Sequence, residues 1–161
     1  MLLYGVILGV LSAIFSFMLY TMDMHYQGGT FVTIVSVVLS TALYAVAMYQ
    51  FKNANNNLMS FWQGVKIGVG VAVISGIIIV LFNLLLTRVI DPETMTKAMN
   101  FQREQLIENT EMTIEQIDAQ LEIAQQFQTP AIQAAFGLLF AVIFGFLLSL
   151  IPAAILKRSE D

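Results

Sequence analysis

Four long apolar runs constrain what this chain can fold into. They cover residues 2–22, 30–51, 64–89 and 130–156, and none of them alternates apolar and polar residues with a period of two. A helix of about 20 apolar residues crosses the roughly 30 Å hydrocarbon layer of a bilayer. Lipid offers the backbone no hydrogen-bond partner, so each run must be helical. The sequence predicts an all-α polytopic membrane protein, with four transmembrane helices in one membrane domain over residues 1–161.

The composition excludes most soluble and catalytic classes. Hydrophobic residues make up 58% of the chain and charged residues 11%, a balance far from that of soluble domains. Cysteine is absent, which removes disulfides, thiol nucleophiles and thiolate metal sites. His25 is the single histidine, and with Asp23 it is too small a ligand set for a metal, so we interpret the pair as polar interface residues. We therefore expect no enzyme activity, no cofactor and no metal site.

A charged insert at residues 91–129 separates the last two apolar runs. Its eight acidic and two basic residues give a net charge of −6, which disfavours nucleic acid as a partner. Asp91 before Pro92 is a typical helix start, and Thr113 with Gln116 forms a capping-box pattern that starts a second helix. These signals predict an extramembrane amphipathic helical hairpin between transmembrane helices 3 and 4. Its candidate partner surface comprises Met95, Met99, Leu106, Ile114, Ile117, Leu121, Glu115, Asp118 and Glu122.

Small residues recur every four positions in three of the four apolar runs. Such spacing lets helix backbones approach closely in lipid, where no hydrophobic force drives helices together. The predicted packing positions are Gly5, Gly9 and Ala13 in the first run, Gly64, Gly68, Ala72 and Gly76 in the third, and Gly137, Ala141, Gly145 and Ser149 in the fourth. An ordinary tightly packed bundle is the simplest interpretation of this pattern.

Polar side chains inside the apolar runs are few and uncharged. The candidates for an intramembrane polar site are Asn83, Ser36, Ser40 and Thr41. They could act as interhelical hydrogen-bond partners or line a small polar substrate pocket. A small-solute transporter or channel is therefore the alternative to a structural role.

The distribution of lysine and arginine predicts the orientation. An even number of spans places both termini on one side of the membrane. That side has four basic residues near the helix ends, Lys52, Lys66, Lys157 and Arg158, and the other side has three. Because basic residues accumulate on the cytoplasmic side, we expect cytoplasmic termini and an extracytoplasmic hairpin.

Several segments resemble one family of bacterial membrane proteins. The run VIDPETM at residues 89–95, the stretch MTIEQIDAQLEIAQQFQTPAI at 112–132 and the segment LMSFWQGVKIGV at 58–69 are similar in order to the family known as domain of unknown function 4199. The resemblance implies a small four-helix inner-membrane protein of unassigned activity and supplies no catalytic residues.

The sequence thus favours a small multi-pass inner-membrane protein with lipid around it and a protein partner or a second copy of itself. A structural or accessory subunit that uses the acidic hairpin is the leading hypothesis. A transporter or channel is the alternative, and an extracytoplasmic sensor is third.

Overall fold

Six α-helices and a short π-helix account for most of the chain. The computed structural model describes residues 1–158, and within them the prediction of an all-α chain is confirmed. The α-helices are α1 (Leu2–Thr21), α2 (Thr30–Ala54), α3 (Phe61–Leu85), α4 (Thr94–Asn109), α5 (Ile114–Gln126) and α6 (Pro130–Leu156), with the π-helix at Leu86–Ile90. Four stretches, namely α1, α2, α3 with the π-helix, and α6, are long and apolar enough to span a bilayer.

The start of α3 differs from the prediction. The helix begins at Phe61, three residues before the predicted residue 64, because Ser60 caps it. The Ser60 hydroxyl accepts from the Gln63 amide at 3.3 Å, and the Gln63 side chain accepts from the Ser60 amide at 2.8 Å. This capping box was visible in the sequence as Ser-x-x-Gln and satisfies two backbone donors that otherwise lack partners.

A π-helix at the other end of α3 moves the start of α4. The amide of Asp91 donates to the carbonyl of Leu86, five residues earlier, at 2.7 Å. This π-helical hydrogen bond makes the last turn wider than an α-helical turn. The backbone of Asp91 is not helical, with φ −138° and ψ 84°, and its carboxylate accepts from the Glu93 amide at 3.2 Å. The prediction that Asp91 is the helix N-cap with Pro92 in the first turn is therefore wrong. Glu93 is the N-cap, and α4 begins at Thr94.

Small residues bring α3 and α6 together along an antiparallel seam. A Cβ added at Gly64 would lie 2.8 Å from the Cβ of Ala153, and one added at Gly76 would lie 2.8 Å from the Cβ of Ala141. Between these positions, Gly68 lies against Ser149 and Gly145 against Ala72, in still closer approach. Each step of four residues forward in α3 matches a step of four residues backward in α6. The side chains that meet are no larger than serine, so the two backbones can pack this closely.

The other two spans pack around this pair. On α1, Gly5 lies against Ile74 and Gly9 against Ile78, so α1 runs parallel to α3. The side of α2 carrying Tyr44 and Met48 is buried against α3 and α6. Reciprocal backbone hydrogen bonds join Met59 and Arg158, at 2.9 and 2.8 Å, and tie the α2–α3 loop to the end of α6. The bundle therefore has α3 at its centre.

The helices of the charged insert pack on each other. Ile117 and Leu121 of α5 are buried, and Arg103 of α4 makes a two-pronged hydrogen bond with Asp118 at 2.7 and 3.3 Å. The predicted capping box at Thr113 is confirmed, with its hydroxyl accepting from the Gln116 amide at 3.3 Å. The loop between α1 and α2 lies at the same end of the bundle as this helix pair.

Candidate functional site

A pocket opens between α2, α3 and α6. Its volume is about 620 Å³, within the roughly 300 to 1,000 Å³ that small-molecule sites occupy. Met95 and Gln133 contribute to one end, where the Gln133 amide nitrogen lies 3.8 Å from the Met95 sulfur. The lining reaches Tyr44 and Leu148 at the other end, so the pocket extends about 22 Å along α6. We call this space the interhelical pocket.

Hydroxyl and amide groups are gathered on this pocket. Its polar lining residues are Thr33, Ser36, Ser40 and Tyr44 on α2, Ser75 and Asn83 on α3, Thr87 on the π-helix, and Gln133 on α6. Three of the four predicted intramembrane polar residues, Asn83, Ser36 and Ser40, therefore share one cavity. Thr41 does not line it, because the residue after Ser40 is turned by about 100° around α2.

Most of the pocket hydroxyls have already used their protons. Four of them donate to a carbonyl of the preceding turn: Thr33 to Gly29 at 3.0 Å, Ser36 to Val32 at 2.8 Å, Ser75 to Ala72 at 3.0 Å, and Thr87 to Asn83 at 2.8 Å. A hydroxyl has one proton and two lone pairs, so each of these oxygens can only accept from a bound molecule. The Asn83 amide is an additional group that can both donate and accept.

The interhelical pocket is open at its side. Asn83 and Ser36 are exposed, as are Phe140 and Phe144 on α6. The two phenylalanines lie about 15 and 21 Å along α6 from its first residue, which is deep in a helix long enough to cross a bilayer. Lining residues exposed at that depth face the space beside the bundle rather than its end.

A cluster of polar side chains lies where the α1–α2 loop meets α4. His25 Nε2 is 3.0 Å from the Thr94 hydroxyl and 3.5 Å from the Asp91 carboxylate. Lys97 donates to the same carboxylate oxygen at 2.9 Å and lies 3.8 Å from Asp23. The side chain of His25 is 3% exposed and that of Asp91 is 9% exposed. We call these five residues the polar junction, and they fix the first turn of α4 to the loop.

An ion pair shifts the pKa values of two residues of the polar junction, Asp91 and Lys97. The hydrogen bond from Lys97 lowers the pKa of the Asp91 carboxyl below its ordinary 3.8, and the same bond raises the pKa of Lys97 above 10.5. Tyr20 and Tyr26 enclose the imidazole of His25 edge-on, with ring centroids at 5.3 and 5.2 Å. Among residues 1–158 no three His, Asp or Glu side chains are arranged to hold a metal ion. Of this cluster, only the pair of His25 and Asp23 could be recognised from the sequence as polar interface residues.

The predicted partner surface divides in the structure. Ile117 and Leu121 are covered by α4, because two short amphipathic helices bury their apolar stripes on each other. Both residues contribute to the contact between the two helices, and Leu121 also lines the groove between α4 and α5. Ile114 is 60% exposed. Four of the other predicted residues line the groove between α4 and α5: Met95, Met99, Asp118 and Glu122. Leu106 is half-buried, and Glu115 is exposed.

Comparison with known families agrees with the architecture. The model of the family described as "Protein of unknown function (DUF4199)" matches residues 3–158. The chain belongs to this family. The match takes in all six helices, so α4 and α5 are part of the region that defines a DUF4199 protein, and the predicted resemblance is confirmed. No curated protein and no solved structure matches the chain. The four apolar helices fit a multi-pass membrane protein.

Proposed function

We propose that this DUF4199 protein binds a small, mainly apolar molecule of the bilayer in the interhelical pocket. The observation that carries the proposal is the pocket itself, a cavity of about 620 Å³ in which three spans place hydroxyl and amide groups beside apolar ones. A largely apolar cavity with a few convergent polar groups is the usual form of a ligand site.

The lateral opening supports a ligand that arrives from lipid. Phe140 and Phe144 are exposed beside the pocket at depths of about 15 and 21 Å along α6. A solute from water would need a polar path along the bundle. Polar groups line the pocket on the α2 side from Thr33 to Tyr44, but α6 contributes only Gln133 as a polar lining residue. Lateral entry of an apolar molecule needs no such path.

Binding or transfer is favoured over catalysis. The pocket lining that the structure describes contains no Asp, Glu, Lys, Arg or His. General acid–base chemistry depends on such groups within hydrogen-bond reach of the substrate. We therefore propose a non-enzymatic role for the pocket.

A tryptophan placed in the pocket tests the proposal. Ser36→Trp fills the cavity, whereas the matched variant Val38→Trp adds the same ring to the same helix at a position that is 62% exposed and does not line the pocket. Native mass spectrometry of protein extracted with its surrounding lipid should detect a retained small molecule in wild type and in Val38→Trp. Ser36→Trp should lose it. Equal retention in both tryptophan variants would refute the proposed site.

A second candidate function is that of an accessory subunit. Ile123 of α5 and Phe127, the residue that follows its last turn, are 59% and 56% exposed and lie about one turn apart. Together with the acidic side chains around them, they support the proposal that α5 contacts a protein partner or a second copy of the chain. A photo-crosslinking amino acid at residue 123 should give a larger, defined species in native membranes. Recovery of monomer alone would count against this role.

We further propose an inner-membrane location with cytoplasmic termini and with α4 and α5 outside the cytoplasm. The basic residues Lys52, Lys66 and Lys157 support this orientation. The chain lacks cysteine, so single cysteines report topology without background. A maleimide that cannot cross membranes should label Gln105→Cys and spare Asn56→Cys in intact cells from which any outer barrier has been removed. The reverse pattern would invert the proposed orientation.

A further inference from the structure

We infer that the interhelical pocket selects an uncharged amphiphile whose head group carries a hydroxyl. This inference rests on the proposed function, that the pocket binds a molecule from the bilayer, and adds the chemical class of that molecule. Three features of the lining lead to it: its lack of charge, the direction of its hydrogen bonds, and the position of its polar groups.

The absence of charge in the lining excludes charged head groups. Tyr44 is the one side chain with a titratable group among the lining residues that the structure describes, and its ring lies at the far end of the pocket. A charge within the membrane needs a counter-charge or water to be stable. A carboxylate, phosphate or ammonium head would find no ionic partner here, so the ligand is neutral.

The direction of the hydrogen bonds favours a donor. The oxygens of Thr33, Ser36 and Thr87 have given their protons to their own helices and present lone pairs to the pocket. An ether or a ketone offers only lone pairs and cannot pair with them. A hydroxyl can donate to one of these oxygens and also accept from the Asn83 amide.

The polar groups lie mainly at one end. Five of the eight polar lining residues, Thr33, Ser36, Asn83, Thr87 and Gln133, lie within about 10 Å of the helix ends that adjoin α4. Beyond them α6 offers a wall that includes Phe140, Ala141 and Phe144. A ligand would place its hydroxyl head near the bilayer surface and its apolar chain along α6.

Photolabelling in lipid nanodiscs tests the selectivity. The probes are a 16-carbon alcohol with a diazirine in mid-chain and the methyl ether of the same molecule, supplied at equal mole fraction in the bilayer. Labelled peptides are quantified by mass spectrometry. One hydrogen bond between partners in a membrane changes an equilibrium by about 3- to 18-fold. The alcohol should exceed the ether by that factor in peptides of α2, α3 and α6 that line the pocket.

Two variants assign the effect to the pocket. Ser36→Ala removes one acceptor with little change of volume and should lower the preference for the alcohol. Thr41→Val is the control, because its hydroxyl is on the same helix outside the lining. A 16-carbon carboxylic acid at a pH where it is ionised should not compete with the alcohol.

The outcomes separate the two claims. Equal labelling of pocket peptides by alcohol and ether would overturn the hydroxyl selectivity and leave the proposed function standing. Strong competition by the ionised acid would overturn the neutral class. Labelling no greater in the pocket than on the lipid-facing side of α2 at Val38, for both probes, would overturn the proposed function and this inference together.

Discussion

Replacing Gly68 with alanine should weaken the bundle by forcing α3 away from α6. The new Cβ would overlap the Cβ of Ser149. Even at the looser Gly64 position, where the gap is 2.8 Å, ordinary contact of 3.4 to 4 Å would require the helices to part by about 0.6 to 1.2 Å. Overpacking of this kind costs about 1 to 3 kcal/mol, and the better helix propensity of alanine offsets about 1 kcal/mol. Because the approach at Gly68 is closer than at Gly64, the cost lies in the upper part of this range, about 2 to 3 kcal/mol, and we expect a net loss of roughly 1 to 2 kcal/mol.

Thermal unfolding followed by circular dichroism measures this loss. A change of that size lowers the midpoint by roughly 2 to 8 °C for a chain of this length. Gly70→Ala is the matched control, since it makes the same substitution on α3 where its neighbour is the flexible thioether of Met1. Ser149→Gly in the Gly68→Ala background removes the opposing Cβ and should restore most of the midpoint. The reasoning is refuted if Gly68→Ala unfolds at the same temperature as Gly70→Ala, or if Ser149→Gly does not raise the midpoint of Gly68→Ala. Either result would show that the close approach of residues 68 and 149 does not determine the stability of the bundle.

The ion pairs give two further predictions. Lys97→Met should raise the pKa of Asp91 towards 3.8, because the hydrogen bond that lowers this pKa is lost. An infrared titration of the carboxyl band, with Asp91→Asn to identify the band, measures the pKa. An unchanged pKa in Lys97→Met would contradict the prediction. In wild type, the contribution of the Asp91 pair to stability is present above about pH 3.8 and is lost as the pH falls through the lowered pKa. Arg103→Gln should leave the thermal midpoint at 0.15 M salt almost unchanged, since Arg103 and Asp118 are both substantially exposed; a clear drop would show a larger role.

Much of the architecture could be read from local patterns. The four spans follow from the length of the apolar runs, and the α5 start follows from Thr113 and Gln116 three residues apart. The start of α3 carried the same kind of signal at Ser60. The π-helix carried none, because apolar residues of similar propensity can continue an α-helix or widen one turn.

The site depended on contacts between distant parts of the chain. His25 and Asp91 are 66 positions apart, and no periodicity links a loop residue to a carboxylate after the third span. Asn83 and Ser36 were identified as polar residues inside apolar runs, but their placement on one pocket depends on the rotation of α2 and α3. Whether each pocket hydroxyl donates to a carbonyl of its own helix depends on its side-chain rotamer, which a sequence pattern does not determine.

The α3–α6 seam also bears on how the chain is made. Its two halves are separated by α4 and α5, so roughly 70 residues are synthesised between the end of α3 and the end of α6. At about 5 to 20 residues per second, translation needs roughly 4 to 14 s for that interval. During this time the glycine face of α3 has α1 and α2 as neighbours but lacks the helix that fits it. Assembly of the bundle therefore ends with the arrival of α6, the last helix to be synthesised.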